Sequence, residues 1–208
     1  HSPVSGTVAK IENVTDSNGY TKAAVIIDVE GDEWEESIDR SEKLVKGCPL
    51  TAKEIVDIIG EKGIVGLGGA TFPSKVKLCP PPGNKAEILI INAVECEPYL
   101  TNDHALMLAK PEQIVEGVAI LMKAINVSKA VIGIENNKPD AIATLSRVAS
   151  GYLGIEVQPL KVRYPQGGEK QLIDAIIRRQ VASGALPIST GAVVQNVATA
   201  YAVYEAGI

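Results

Sequence analysis

Cysteine is scarce in this sequence and badly placed for cross-linking. The 208 residues include three, Cys48, Cys79 and Cys96, with no CxxC pair among them. An odd number of scattered thiols supports neither a disulfide framework nor a zinc site, and reduced thiols in a cytosolic compartment are expected. A cluster ligated wholly by this chain is excluded by count, since iron–sulfur clusters normally take four thiolates. Aromatics are also few, six Tyr, one Phe and one Trp, so any core must be built from Ile, Val, Leu and Ala. Basic residues are in the minority, 20 Lys and Arg against 25 Asp and Glu. That balance excludes the basic stripe of a phosphate-tracking nucleic-acid binder. The opening HSPVSGTVAK has no basic start followed by an apolar stretch, which predicts no secretory leader there. One charge-free run, residues 180–204, is long enough to cross a bilayer. Gly184, Pro187, Gly191, Ser189, Gln195 and Asn196 interrupt it, so it is read as a buried loop followed by a helix, with no transmembrane segment.

What remains is an aliphatic, mildly acidic chain of ordinary domain size, with room for a sizeable core and a small appendage. A compact fold of this mass would expose roughly 9,300 Å². Residues 1–42 read as a small all-β module. Val4, Val8 and Ile11 alternate with small or polar residues, DSNG at 16–19 supplies turn chemistry, and TKAAVIIDVE (21–30) is a second strand. The stretch from Asp28 to Glu42 holds eight acidic residues and one Arg and reads as a solvated edge and linker.

From residue 43 to 208 the pattern is α/β. Thr51 with Glu54 makes a capping box ahead of Ile55, Ile58 and Ile59, with the helix ending near Gly60 or Gly63. EILIINAV (87–94), KAVIGIE (129–135) and IEVQPLKV (155–162) are strand-like runs. Helical patterns follow them: a short one from Thr101 or Asn102, then those beginning at Pro111, Pro139 and Gly168. This alternation predicts a doubly wound, mostly parallel sheet with helices on both faces.

Four segments carry chemistry. GIVGLGGATFP (63–73) packs Gly63, Gly66, Gly68 and Gly69 ahead of Phe72, with Lys75 and Lys77 just beyond. Such backbone can approach and wrap phosphates. It is neither GxGxxG after a strand nor a P-loop, and a plain turn with solubilising lysines is the competing reading. INAVECEPYLTNDH (91–104) leaves the strongest strand at its carboxyl end, where open α/β sheets bind ligands. It concentrates Asn92, Glu95, Glu97, Tyr99, Asn102, Asp103 and His104. Helix capping accounts for Thr101, Asn102 and Asp103, and His104 reads as a satisfied helix histidine. YPQGGEKQLI (164–173) opens a helix at a glycine pair, with Tyr164 before it and Glu169 at its start. Gln195 and Asn196 are amides in an apolar segment and need partners when buried. No metal site is indicated, because no His or Cys cluster joins the acids.

Together GIVGLGGATFPSKVKL, INAVECEPYLTNDHALML, IGIENNKPDAI, YPQGGEKQLIDAIIRR and VVQNVATAYAVYEAG resemble the RnfC family of the Rnf-type electron transport complex. They are more distantly similar to the flavin-bearing, NADH-oxidising subunit of respiratory complex I. The resemblance implies an FMN- and NADH-binding α/β domain over 43–208 and a barrel-sandwich module over 1–42, with no lipoyl-type lysine. It implies FMN contacts from Gly66, Gly68, Gly69, Lys77, Asn92, Glu95, Glu97, Tyr164, Glu169 and Asn196. Phe72 and Glu97 would help hold the nicotinamide nucleotide. It further implies electron transfer between NAD(H) and ferredoxin, reached indirectly, alongside other subunits of an Rnf-type complex on the cytoplasmic face of the membrane. No side chain need act as acid or base in hydride transfer, so no catalytic residue is expected. The sequence departs from the complex I pattern at Thr71, Val94 and Gly168. The family's 4Fe-4S clusters are expected only in a C-terminal region lying outside this sequence. A reductase serving another acceptor, such as a cobalamin or selenoenzyme system, and a flavin-free docking scaffold are the alternatives.

Overall fold

The computed structural model describes residues 2–36, 38–41 and 43–207, and the chain divides into two units, His1–Lys43 and Leu44–Ile208. Ser37 and Glu42, within the acidic stretch read as a linker, lie outside the described residues.

The first unit is a two-stranded antiparallel ribbon of β1 (Gly6–Thr15) and β2 (Thr21–Val29). Its turn is set by Asp16, whose Oδ1 accepts the N–H groups of Asn18 and Tyr20 at 2.9 and 3.0 Å. Gly19 takes the left-handed backbone (φ +82°) that closes it. A register shift between Val8 and Lys10 marks a bulge. The alternation read in the sequence does not produce a buried face within this unit: Val8, Ile11, Val25 and Val29 all remain more than half exposed.

The second unit is a mixed α/β domain on a four-stranded sheet in the order β5-β4-β3-β6. The strands are β3 (Ile88–Ala93), β4 (Ala130–Glu135), β5 (Ile155–Leu160) and β6 (Ala192–Asn196), and every pairing is parallel. Alternate side chains of β3 feed two separate cores. Leu89, Ile91 and Ala93 pack on one face with α1 (Ala52–Glu61), α4 (Pro111–Ala124), α5 (Pro139–Ala149) and α7 (Val197–Glu205). Ile88 and Ile90 pack on the other with Leu172 and Ile173 of α6 (Glu169–Ile177). Burial on both faces explains why β3 and β4 read as unbroken aliphatic runs. Pro159 interrupts β5, which the sheet tolerates because β5 is an edge strand.

The capping box at the start of α1 forms as expected. Thr51 N–H donates to Glu54 Oε2 at 2.7 Å, and Glu54 N–H reaches back to Thr51 Oγ1 at 3.4 Å. Two elements differ from the sequence reading. A short helix, α2 (Ser74–Leu78), follows the glycine loop. Within the uncharged run the expected loop is in part a strand, β6, buried over its first four residues and hydrogen-bonded to β3. A five-residue apolar segment running straight into a helix has no period of its own, so strand and helix could not be separated there. Among the described residues no helix is long and apolar enough to cross a membrane.

β3 leads to β4 and β5 on one side, and the chain then returns to lay β6 against the other side of β3. The strand order therefore reverses between β3 and β6, and a crevice opens beyond their carboxyl ends. Close packing of α7 helps form it. A Cβ on Gly117 of α4 would run into the carbonyl of Ala200 on α7, so only glycine lets these helices approach this closely.

Candidate functional site

That crevice is a cavity of about 540 Å³, within the range of small-molecule sites (~300–1,000 Å³). Every residue singled out by the family resemblance lines it: Gly66, Gly68, Gly69, Phe72, Lys77, Asn92, Glu95, Glu97, Tyr164, Glu169 and Asn196. Lys75 does not; its Nζ turns to Asp57 of α1 at 3.0 Å. His104 is likewise drawn to the neighbouring helix, with Nε2 2.9 Å from Asp140 Oδ1.

The glycine loop forms one wall. Val65 and Pro73 bridge at its base, with Gly66 N–H donating to Phe72 O at 2.8 Å. Leu67 N–H is held by Thr199 Oγ1 of α7 at 2.9 Å. Among the described residues Gly68, Gly69 and Ala70 donate no amide hydrogen to another part of the chain. These amides are free to meet an anion, as phosphate-wrapping backbone requires. Gly69 has φ +110°, where an L side chain would be strained. A Cβ at Gly68 would sit 3.5 Å from Asn196 Cβ, so anything larger than alanine there would enter the cavity.

The opposite wall is built by polar side chains at strand ends. Asn92 and Asn196 are paired neighbours on β3 and β6. Asn92 Nδ2 donates to Gly167 O at 2.8 Å while its Oδ1 accepts Val94 N–H at 3.2 Å, tying the Tyr164–Gly168 segment to the sheet. Glu95, with φ +49°, places Oε1 and Oε2 on the N–H groups of Asp103 and His104, at 2.8 and 3.1 Å. The cap of α3 (Asn102–Ala109) is therefore Glu95. Thr101, at the N-cap position, makes no such bond with its side chain, which corrects the assignment of capping to the Thr101–Asp103 stretch. The cause is that strand-end backbone turns Glu95 back over the helix start, a contact eight residues long that local spacing does not reveal.

Asn196 caps α7, its Oδ1 accepting Ala198 N–H at 2.8 Å, and its Nδ2 donates to Asp103 Oδ2 at 2.8 Å. Burial pushes the Asp103 carboxyl above the ordinary range. Glu95 adds to the rise, while the Asn196 bond and Lys138 oppose it. Lys77 Nζ crosses to Glu169 Oε1 at 2.6 Å and to Val194 O at 3.1 Å. Behind this wall a buried pair, Lys138 and Glu135 (3.1 Å), fixes the end of β3 through a bond from Lys138 Nζ to Val94 O at 3.1 Å. The sequence reading did not anticipate that pair, nor the part of Thr199. A sequence signal for Asp103 existed, since it stands in the first turn of a helix that starts at the site.

Three helix N-termini, those of α3, α6 and α7, contribute residues to this cavity. Their partial positive charge offsets the carboxylates around it and suits an anionic ligand. FMN fits such a donor set: unspent glycine-loop amides and helix ends for a phosphate, amides and carboxylates for ring and ribitol polar atoms, and Phe72, half exposed, as an aromatic surface. Among the described residues no group of His, Cys, Asp and Glu could hold a metal ion.

The chain is 48% identical to the RnfC-type component of a proton-translocating ferredoxin:NAD(+) oxidoreductase complex from Clostridium ljungdahlii, over 90% of this chain and 41% of that one. It is 44% identical to the corresponding component of the Na(+)-translocating complex from Acetobacterium woodii, over all of this chain and 46% of that one. The chain thus spans less than half the length of these curated relatives. Among solved structures, an NAD+-reducing NiFe-hydrogenase in its H2-reduced state superposes with a TM-score of 0.66 at 27% identity, covering 75% of this chain and 31% of that one. A family model described as the Nuo51 FMN-binding domain matches residues 59–205, a span that takes in all of the cavity wall from the glycine loop to Asn196. With that match over most of its length, the chain belongs to the Nuo51-type FMN-binding family.

Proposed function

We propose that the cavity binds FMN and presents it to NAD(H), and that the chain is the flavin-bearing portion of an Rnf-type ferredoxin:NAD oxidoreductase. One observation carries this reading: residues from stretches as far apart as 66–77, 92–97, 164–169 and 196 line a single crevice at the switch point of a parallel sheet. Gly66, Gly68 and Gly69 receive the phosphate on backbone amides. Asn92, Glu95, Glu169 and Asn196 fix the walls around ribitol and ring. Lys77, already shared between Glu169 and Val194 O, sets positive charge beside the flavin. Phe72 and Glu97, at the exposed rim, receive the nicotinamide nucleotide, and Tyr164 lies against the flavin. When bound, FMN supplies the exchange between two-electron hydride donors and one-electron carriers. The residues themselves bind, orient and exclude water, and none is assigned proton transfer.

The relatives' names support a place among the subunits of an ion-translocating ferredoxin:NAD oxidoreductase complex; a peripheral position on the cytoplasmic face of the membrane, with ferredoxin reached indirectly through 4Fe-4S carriers, rests on the family resemblance of the sequence alone. The family resemblance of the sequence also supports a barrel-sandwich module over residues 1–42, to which the β1–β2 ribbon would belong.

FMN titration of the purified chain tests the central claim. Saturable quenching of flavin fluorescence with a rise in melting temperature is expected, followed by anaerobic bleaching of the bound flavin on adding NADH. A chain that folds but neither quenches FMN nor gains stability from it is a docking scaffold instead.

A further inference from the structure

The Asn196 amide enters the cavity already oriented. As N-cap of α7, its Oδ1 accepts Ala198 N–H at 2.8 Å, which leaves the amide nitrogen facing α3. One bond of this kind does not fix an amide, because the terminal torsion of Asn is broad. A second bond at the other end of the group does. Asp103 Oδ2 accepts from Asn196 Nδ2 at 2.8 Å. Asp103 is itself anchored, its own N–H donating to Glu95 Oε1 at 2.8 Å, and it is only 9% exposed. Keeping a carboxyl in so dry a place is costly unless its hydrogen bonds are made. With one hydrogen given to Asp103, the amide retains one more. Nδ2 lies 3.7 Å from where a Gly68 Cβ would stand, so this donor sits beside the glycine loop.

We propose that Asp103 is a positioning residue of this site: it locks the Asn196 amide so that its second N–H is held ready for a ligand lodged against Gly68. The ligand in question is the FMN assigned above, and the inference rests on that reading.

Three variants of the whole chain test it, with two readouts. Asp103→Ala and Asp103→Leu both remove the acceptor, the second keeping the branch at Cγ; Asp103→Asn keeps one. FMN affinity should weaken about tenfold in the first two, as expected for a lost buried partner, and stay within about threefold of the parent in Asp103→Asn. In the ligand-free protein, the side-chain amide resonances of Asn196 should be resolved and slow to exchange in the parent and in Asp103→Asn. They should collapse toward solvent-averaged positions when the acceptor is gone. A folded Asp103→Ala or Asp103→Leu that binds FMN as tightly as the parent, or whose Asn196 resonances are unchanged, overturns the proposal. If the parent takes up no FMN, the flavin reading falls, and the ligand-free resonances alone decide the role of Asp103.

Discussion

The contact between α4 and α7 sets the position of Asn196, and a single methyl group should disturb it. A Cβ on Gly117 would overlap the carbonyl oxygen of Ala200 and stand 2.7 Å from its carbonyl carbon and 3.5 Å from its Cα. Unstrained carbon atoms stay ~3.5–4.0 Å apart, so α7 must retreat by about 1 Å in Gly117→Ala. The obstacle is helix backbone, which has no rotamer to move aside. Two terms then compete. Replacing glycine by alanine inside a helix gains about 1 kcal/mol in propensity. Overpacking a dense interface costs ~1–3 kcal/mol, sometimes more, and a helix pushed back loosens Val197, Ala200 and Val203, all fully buried. The upper half of that range applies, which leaves a net loss of about 1–2 kcal/mol and a fall in melting temperature of roughly 2–8 °C for a chain of this size. Ala200 is one turn beyond Asn196, so FMN affinity should fall together with stability. Urea unfolding and FMN titration on the same preparation measure both. A variant as stable as the parent, or more stable, would refute the claim that glycine is there to admit α7.

Gly68→Val should leave the domain folded and abolish FMN binding, since a Cβ at Gly68 is at ordinary contact distance from Asn196 and the added branches occupy the cavity; a folded variant with parental FMN affinity contradicts this. Lys138→Met strands Glu135, 2% exposed and with Oε1 already unpartnered, and should cost about 3–5 kcal/mol in denaturant unfolding, as removal of one member of a buried pair does. The Asp140 carboxyl is held below its ordinary value first by the hydrogen bond from His104 and then by Ala141 N–H. On acidification the unfolded chain therefore takes up this proton before the folded one, and the stability gained from the carboxylate above its ordinary pKa is lost as the pH falls through the lower, folded value. Melting temperatures followed downward from about pH 5 should decline less steeply in Asp140→Asn than in the parent, and parallel curves would remove the pair from the account.

Local chemistry made much of this domain readable. The capping box at Thr51, the β-branched runs of β3 and β4 and the prolines that open α4 and α5 are decided by neighbours within a turn or a strand, and each occurs where the pattern put it. Strand β6 was hidden because AVVQN adjoins a helix of the same composition, and its identity comes from pairing with β3, about a hundred residues away. The same division runs through the site. Glycines and strand-end polar residues announced themselves by type and position, so the cavity wall could be listed from sequence once the family resemblance was in view. What each side chain does there could not, because the partners are distant: Glu95 meets α3 across eight residues, Asn92 meets Gly167 across 75, and Asn196 meets Asp103 across 93. In the first unit alternation was read correctly as strand, yet a pair of strands buries no face alone, and Val8 and Ile11 remain exposed.

The acids around the cavity raise an electrostatic question that the hydrogen bonds answer. A crevice lined by Glu95, Glu97, Asp103 and Glu169 should repel a phosphate, and Lys77 is the one cation that lines it among the described residues. Most of that negative charge is already engaged. Glu95 covers two N–H groups of α3, Asp103 takes the Asn196 amide, and Glu169 pairs with Lys77. Glu97 alone makes no side-chain hydrogen bond among the described residues, and it belongs to the segment assigned to the nicotinamide nucleotide rather than to the phosphate. The glycine loop shows the opposite bias, with free amides and no carboxylate of its own between residues 63 and 73. Charge is thus sorted along the cavity: donors at the loop, compensated carboxylates at the strand ends, one unspent carboxylate at the rim. An anionic tail therefore has one favourable end to enter. If the cavity holds FMN as proposed, that polarity would orient the mononucleotide with its phosphate toward the loop, and so help hold the redox ring in a fixed relation to its electron donor.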